Sequence, residues 1–344
     1  MANQKQNFKN VTMRDVARLA GVSQPTVSRV LNQTDTTIAV SDETREKVLA
    51  AMKELGYRPN AIARSLRTQQ VRMIGLMIAD ISNSFFHPIA RAVQDLARLR
   101  NYDVLIVNSD HLYENELHFC EAVTRRPLDG VIMVPVHLNS QDLDQFVSLT
   151  NIPVAVLGQQ IQHPNIDVVY VRDDLAIQEA VTWMINERGY TNIGYVGVSD
   201  SNPIGPRRRH GFEDALRHAG LTADPRYMLE GDFTMESGAR AARMLLQNND
   251  LPAAMFVAND LMAIGLILAL QEAGYVIPDD IAVMGFDNIL EAKIVRPTLT
   301  TIAQDPRDIG QKLVAALFDR IENPTTVKQK TLESTYELII RDSA

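Results

Sequence analysis

Residues 11–32 read VTMRDVARLAGVSQPTVSRVLN. Thr12 and Asp15 stand at the spacing of an N-cap hydroxyl and a carboxylate three residues on, a pair that satisfies the free amides of a helix start. The apolar positions Val16, Ala17, Leu19 and Ala20 follow, and Gly21 has the backbone freedom that ends a helix. Ser23 can cap a second helix, in whose first turn Pro25 is tolerated because the N–H it lacks would have no partner inside the helix. Val27, Val30 and Leu31 then fall on one face, with Gln24, Pro25, Ser28, Arg29 and Asn32 on the other. Two short helices joined by a tight Gly turn predict a helix-turn-helix, whose second helix enters the DNA major groove.

A third helix is predicted from Ser41-Asp42-Glu43, with acidic residues in its first turn, core positions Val48, Leu49, Met52 and Leu55, and Gly56 as its stop. Any small three-helix bundle alternates polar and apolar residues in this way. What points to recognition is the chemistry of the polar face: Arg29 can bond guanine in bidentate fashion and Gln24 can read a base edge. Thr12, Ser23, Thr26 and the free amides at the helix starts suit phosphate contacts that set register without reading sequence.

The chain has 344 residues, 46% hydrophobic and 22% charged, enough for two or three folding units of ordinary globular composition. Its net charge of −8 conceals a division. Residues 1–70 hold 11 Lys+Arg against 6 Asp+Glu, net +5, while residues 71–344 hold 23 against 36, net −13. A basic head on an acidic body fits an N-terminal module that docks on phosphates and a larger unit kept off the duplex. A merely solvated basic surface would carry the same charge.

Residues 57–67, YRPNAIARSLR, are too short for a helix stable by itself, which needs about 12–15 residues. Asn60 can cap such a helix. Ala61, Ile62 and Leu66 form a small apolar face able to pair with a copy of itself, and a terminal Leu is the residue type that wedges between base steps in the minor groove. A plain interdomain linker is the competing reading of this stretch.

From Val71 onward, strand-like runs alternate with helical patterns: VRMIGLMIA (71–79), DVLIVN (103–108), DGVIMVP (129–135) and PVAVL (153–157) in one run, closed by PVAVL, then NIGYVG (192–197), AAMFVA (253–258) and DIAVMGF (280–286) in a second. The intervening helices are expected from about Phe85, up to Arg126, near Asp142–Leu149, and at Leu175–Glu187, Gly211–Ala219 and Leu261–Ala273. Such alternation predicts parallel sheets, and two runs predict two α/β lobes. No Gly-x-Gly-x-x-Gly or Walker-type Gly-x-x-x-x-Gly-Lys-Ser/Thr follows a strand, so dinucleotide and nucleoside-triphosphate binding find no support. Ligands of parallel sheets bind beyond the strands' carboxyl ends. Asp80, Phe85, Phe86, Phe233, Asn259, Asp260, Asp287, Asn288 and Arg207–Arg209 are the polar and aromatic residues placed there; aromatics supply a stacking wall, and the polar groups directional bonds. The phenylalanines are equally good core residues and the arginines an ordinary solvated loop.

The run at 11–32 together with SDETREKVLAAMKELGYRPNAIARSLRT (41–68) resembles the DNA-binding head and hinge of the LacI/GalR repressors. The resemblance continues through DISNSFFHPIARAVQDLA (80–97), RRRHGFEDAL (207–216), EGDFTMESGARAA (230–242), ANDLMAIGLILALQEAGYVIPDDIAVMGFDN (258–288) and RPTLTTIAQD (296–305). It implies a helical helix-turn-helix head (1–58), a hinge (59–70) and a bilobal type I periplasmic-binding-protein-like core (71–344). It implies that Gln24, Pro25 and Arg29 sit where the family reads its operator and that Leu66 is the inserted lever; Thr12, Ser23, Thr26, Ser28 and Asn32 in the head and Asn60, Ala63 and Arg67 in the hinge complete the expected DNA-binding set. It matches Arg208, Asn259 and Asp287 to polar effector contacts, Phe85 and Phe233 to aromatic wall positions and Gln304 to the lobe boundary; Asp80, from its place after the first strand, completes the expected effector set. Pro25 departs from the more usual polar residue and cannot donate, which shifts direct readout toward Gln24 and Arg29. Ser84 stands where the family commonly has Pro, and Leu157-Gly158-Gln159 replaces a commoner acidic strand end. The extra arginines at 207 and 209 allow an anionic effector.

The expected protein is therefore a ligand-responsive repressor that binds a pseudo-palindromic DNA operator as a homodimer under control of a small-molecule effector, a sugar or sugar derivative. No cofactor and no membrane partner is called for. A solute-binding protein shares the bilobal core, but the added head and the lack of an apolar leader in MANQKQNFKN oppose it and favour a cytoplasmic protein. An enzyme lacks support, since no nucleophile–base spacing or metal motif emerges; the lone Cys120 excludes an internal disulfide.

Overall fold

A computed structural model describes residues 11–31, 40–57, 70–247, 250–324 and 328–344. The chain divides into two compact units, Met1–Val71 and Arg72–Ala344.

The first unit contains helices α1 (Met13–Ala20), α2 (Gln24–Leu31) and α3 (Asp42–Leu55). The Asp15 carboxylate accepts from the Thr12 amide at 3.0 Å and its hydroxyl at 2.7 Å, closing the predicted box. Gly21 ends α1 at φ 64°, where the Val22 amide turns back to the Ala17 carbonyl at 3.0 Å. The Ser41 hydroxyl accepts from the Thr44 amide at 3.3 Å at the start of α3. Val16, Ala17, Val27, Val30, Val48 and Ala51 make the core, with Met52 and Leu55 packed against it.

Leu19 and Leu49, expected inside, are 46% and 51% exposed. At 100° per residue, Leu49 lies a full 100° from Val48, while Met52 and Leu55 lie within 40° of it. The apolar stripe is narrower than the count of apolar residues, and Ala51 takes the inward place.

The second unit is built on two six-stranded sheets. The first has the order β11 (Thr331–Ser334), β5 (Ile166–Val171), β4 (Val154–Leu157), β3 (Gly130–Met133), β1 (Met73–Ile78), β2 (Asp103–Asn108), all parallel. The second runs β12 (Tyr336–Ile339), β10 (Thr300–Gln304), β9 (Ala282–Asp287), β8 (Ala254–Val257), β6 (Ile193–Val198), β7 (Met228–Gly231), with β12 alone antiparallel. Helices α4 (Phe86–Leu99), α5 (Tyr113–Arg125), α6 (Ser140–Thr150) and α11 (Pro306–Glu322) cover the first sheet. Helices α7 (Asp173–Asn186), α8 (Ile204–His218), α9 (Met235–Gln247) and α10 (Asp260–Glu272) cover the second. The nearly continuous apolar strands, such as MIGLMI in β1, are what a sheet buried on both faces requires.

PVAVL does not close the first lobe. IDVVYV (166–171) adds a fifth strand there, and the chain then passes between lobes three times, at residues 172, 305 and 335, so α11 and β11 return to the first lobe. Only the first of these passages was visible as a break in the alternation. The buried Arg320–Asp167 pair anchors the returning segment: its guanidinium makes 2.7 and 2.8 Å bonds to the two carboxylate oxygens, and the Lys330 amide adds a third at 2.7 Å.

Candidate functional site

In the first unit the face of α2 opposite Val27 and Val30 presents Ser23, Gln24 and Pro25 exposed, with Thr26, Ser28 and Arg29 half-buried. The Ser23 and Thr26 hydroxyls meet at 2.8 Å, and the Thr26 amide bonds Ser23 Oγ at 3.3 Å, which fixes this helix start. Thr12 is exposed at the start of α1. Asn32, Asn60, Ala63, Leu66 and Arg67 lie outside the described residues.

In the second unit the strand ends of both lobes enclose one cleft with about 100 Å³ of free volume. That is room for several waters or one small polar molecule. Its wall includes Phe85, Phe86, His111, Gln159, Gln160 and Tyr170 from the first lobe and Asp173, Asn202, Arg207, Arg208, Phe233, Asp287 and Gln304 from the other side. Phe85, Arg208, Phe233, Asp287 and Gln304 of the expected set are thus brought together.

Asp80 and Asn259 are not on the wall. Asp80 accepts from the Ser82 amide at 2.7 Å and hydroxyl at 2.6 Å, pinning the turn that carries Asn83 to Phe86. Asn259 caps α10 by accepting from the Met262 amide at 2.9 Å, and its side-chain amide donates to the Phe233 carbonyl at 3.0 Å. Phe233 sits at φ 67°, a left-handed conformation that costs a non-glycine residue about 1–2 kcal/mol. The bond from Asn259 holds that residue where its ring stacks on His111, centroids 5.6 Å apart.

The charged floor is centred on Asp173, which sequence reasoning missed. Arg207 binds it through Nε at 2.5 Å and a second nitrogen at 2.9 Å, and Arg208 Nε joins at 3.2 Å. Arg208 also donates to the Ala258 carbonyl, and its guanidinium lies 4.0 Å from the centre of the Phe286 ring. Two consecutive residues of α8 reach the first residue of α7 because the helices touch: a Cβ on Gly211 would lie 2.4 Å from the Asp174 carbonyl. Arg209 points elsewhere, to Asp200 at 2.8 Å. The arginine cluster is therefore no free anion site, since Arg207 and Arg208 share the Asp173 carboxylate, Arg208 also holds the Ala258 carbonyl, and Arg209 is spent outside the cleft.

Asp287 ends β9 at φ 120° and accepts from Gln304 Nε2 at 2.7 Å. Burial pushes its carboxyl up to about 7, against the pull of Arg208 and the Gln304 bond. Asp260, fully buried next to it, is also driven well up by burial and by the Asp287 charge; it takes bonds from Thr301 Oγ1 at 2.6 Å and the Ile289 amide at 2.9 Å. Burial lowers His111, which favours its neutral ring.

The sign of the linkage for Asp287 is set by its raised value. Below about pH 4 it is protonated folded or unfolded; between 4 and 7 only the unfolded chain gives up its proton, so stability falls as pH rises and then levels off. The loss is at most about 1.4 kcal/mol per pH unit across that window. Asp287→Asn, which keeps the shape and tolerates positive φ, should flatten this slope and gain stability relative to the parent at pH 8. Urea midpoints of the two proteins from pH 4 to 8 check it; parallel curves would refute the assignment.

Among the described residues no group of three metal-ligating side chains gathers, and no helix is long and apolar enough to cross a membrane.

Residues 12–60 match the model of the bacterial regulatory proteins of the lacI family, and residues 184–344 match a periplasmic binding protein-like domain. Catabolite control protein A of Priestia megaterium is 35% identical over 336 residues, 97% of this chain and 99% of that protein. The HTH-type transcriptional repressor PurR of Pasteurella multocida is 32% identical over 332 residues, 96% of this chain and 98% of that protein. A lac repressor dimer solved with operator and the anti-inducer ONPF superposes with a TM-score of 0.83 at 30% identity, covering 97% of this chain and 99% of that one. With a helix-turn-helix head, a two-sheet body of the same fold and full-length likeness to these proteins, the chain belongs to the lacI family of bacterial regulatory proteins and is a DNA-binding transcription regulator.

Proposed function

We propose that the protein is a repressor, not an enzyme, that acts in the cytoplasm as a homodimer on a pseudo-palindromic operator. In this reading residues 1–58 form the DNA-binding head, 59–70 the hinge and 71–344 the effector-sensing core. Gln24 and Arg29 read base edges, Thr12, Ser23, Pro25, Thr26, Ser28 and Asn32 fit the groove and phosphates around them, and Asn60, Ala63, Leu66 and Arg67 engage the minor groove. The lac repressor dimer on its operator supports the assembly.

The observation that carries the effector reading is the cleft itself, walled by both lobes, with aromatic rings on its wall and a floor on which Arg207 and Arg208 are already bonded to Asp173. Arginines whose donors are engaged within the protein disfavour a strongly anionic ligand, and aromatic faces with directional polar groups suit a neutral polyhydroxylated molecule of sugar type. Phe85, Arg208, Phe233, Asp287 and Gln304 are assigned to contact it, while Asp80 and Asn259 hold the contacting residues in place.

The test is a gel-shift titration on an operator selected from random duplexes. Leu66→Ala should weaken specific binding by at least about tenfold, or 1.4 kcal/mol, and leave small-molecule binding intact. Undiminished operator binding by that variant would sink the hinge assignment. A thermal-shift screen of sugars, nucleosides and small acids, with the best hit added to the titration, identifies the effector and the direction of its control.

A further inference from the structure

Two rigid platforms meet across the cleft mouth. On the first lobe the turn at residues 80–85 is fixed by the Asp80 bonds to Ser82, by the Phe85 amide on Asn83 Oδ1 at 3.0 Å, and by the Ile81 amide on Asn108 Oδ1 at 3.1 Å. On the second, the short helical turn Leu290–Lys293 is tied down by buried Ala292 and by the Ile289 amide on buried Asp260. Between them the Ser84 hydroxyl donates to Glu291 Oε2 at 2.7 Å in a half-buried setting. Both neighbours of Ser84, Asn83 and Phe85, line the cleft, so this bond lies at its rim.

We propose that the Ser84–Glu291 hydrogen bond is a latch that holds the two lobes closed and so sets how firmly the cleft retains a bound small molecule. The three chain passages at 172, 305 and 335 act as the hinge, and a bond between side chains 207 residues apart is broken as soon as the lobes part. Proline at position 84, the residue the resemblance would place there, has no hydroxyl to donate, so this closure is a property of this chain's own sequence. A molecule that binds only the closed form has its apparent affinity scaled by the closed fraction, which makes Ser84 and Glu291 positioning residues of the site. That consequence rests on the effector reading above; the latch itself does not.

The experiment needs no effector. Full-length protein in a Cys120→Ala background carries spin labels at Arg91→Cys and Glu236→Cys, one at an exposed helix position of each lobe, and is diluted with unlabelled chain. Pulsed dipolar spectroscopy then reports the interlobe distance. Losing a hydrogen bond to a charged acceptor at a half-exposed site is expected to raise the open-to-closed ratio about fivefold. Ser84→Ala and Glu291→Ala should each add the same longer-distance population, and the double variant should add no more than either alone. Glu291→Gln keeps an oxygen acceptor and should retain more of the closed form. Unchanged distances in both alanine variants, or single effects that sum in the double variant, would overturn the latch and leave the repressor reading untouched.

Discussion

Asp167→Ala is expected to destabilise the second unit by about 3–5 kcal/mol, the usual cost of removing one partner from a buried ion pair. Asp167 is fully buried, and its two oxygens take the Arg320 guanidinium and the Lys330 amide at 2.7–2.8 Å. Without it, the Arg320 guanidinium loses its carboxylate partner and is left beside the Pro164 and Lys328 carbonyls, at 3.2 and 3.4 Å. The affected strand, β11, is the segment that returns to the first lobe and pairs with β5, so the loss should loosen an entire sheet edge rather than one side chain. Replacing both partners with apolar residues, Asp167→Leu with Arg320→Met, should recover much of the loss, less the cost of the orphaned Lys330 amide, about 1–3 kcal/mol. Urea denaturation followed by circular dichroism measures both. A cost below about 1 kcal/mol for the single change would show that the pair does not hold the edge.

Arg208→Ala is expected to cost about 2–5 kcal/mol, divided between stability and small-molecule binding. Arg208 is 6% exposed and joins three things at once: the Asp173 carboxylate, the Ala258 carbonyl and the Phe286 face. Arg207 still pairs with Asp173 in the variant, which places the stability loss at the lower end. Asp287 loses the cation that pulls its carboxyl down, so it should titrate higher still. A screening hit at 100 times its dissociation constant adds about 2.7 kcal/mol to the parent's stability. That increment should vanish in Arg208→Ala while operator binding without the hit persists. An undiminished thermal shift would remove Arg208 from the effector site.

Much of the head was legible because its determinants are local. Thr12 with Asp15, Ser23 with Thr26, and Gly21 act within three residues of themselves, so spacing alone reveals them. The alternation of apolar strands and helices was legible for the same reason. Leu19 and Leu49 show the limit: they are apolar and helical, yet the face each turns inward is chosen by the neighbouring helices. In the cleft, Phe85 and Phe233 lie in the connections that leave β1 and β7, and Asp287 is the last residue of β9, which made them visible. Asp173 was not, because its importance comes from arginines 34 and 35 residues away. Asn259 was placed near the site by the same strand-end argument, but its carboxamide is consumed in capping α10 and bracing Phe233.

The sequence by itself determined the helix-turn-helix, the two-lobed parallel α/β class and the basic head on an acidic body, since caps, periodicity and charge are properties of residues near one another in the chain. Only the tertiary structure decided that the chain passes between the lobes three times, that Arg207 and Arg209 are already neutralised, and that Ser84 reaches Glu291 across the cleft. Those facts depend on which distant groups are brought within hydrogen-bond reach when water is squeezed out, and no spacing along the chain encodes that distance.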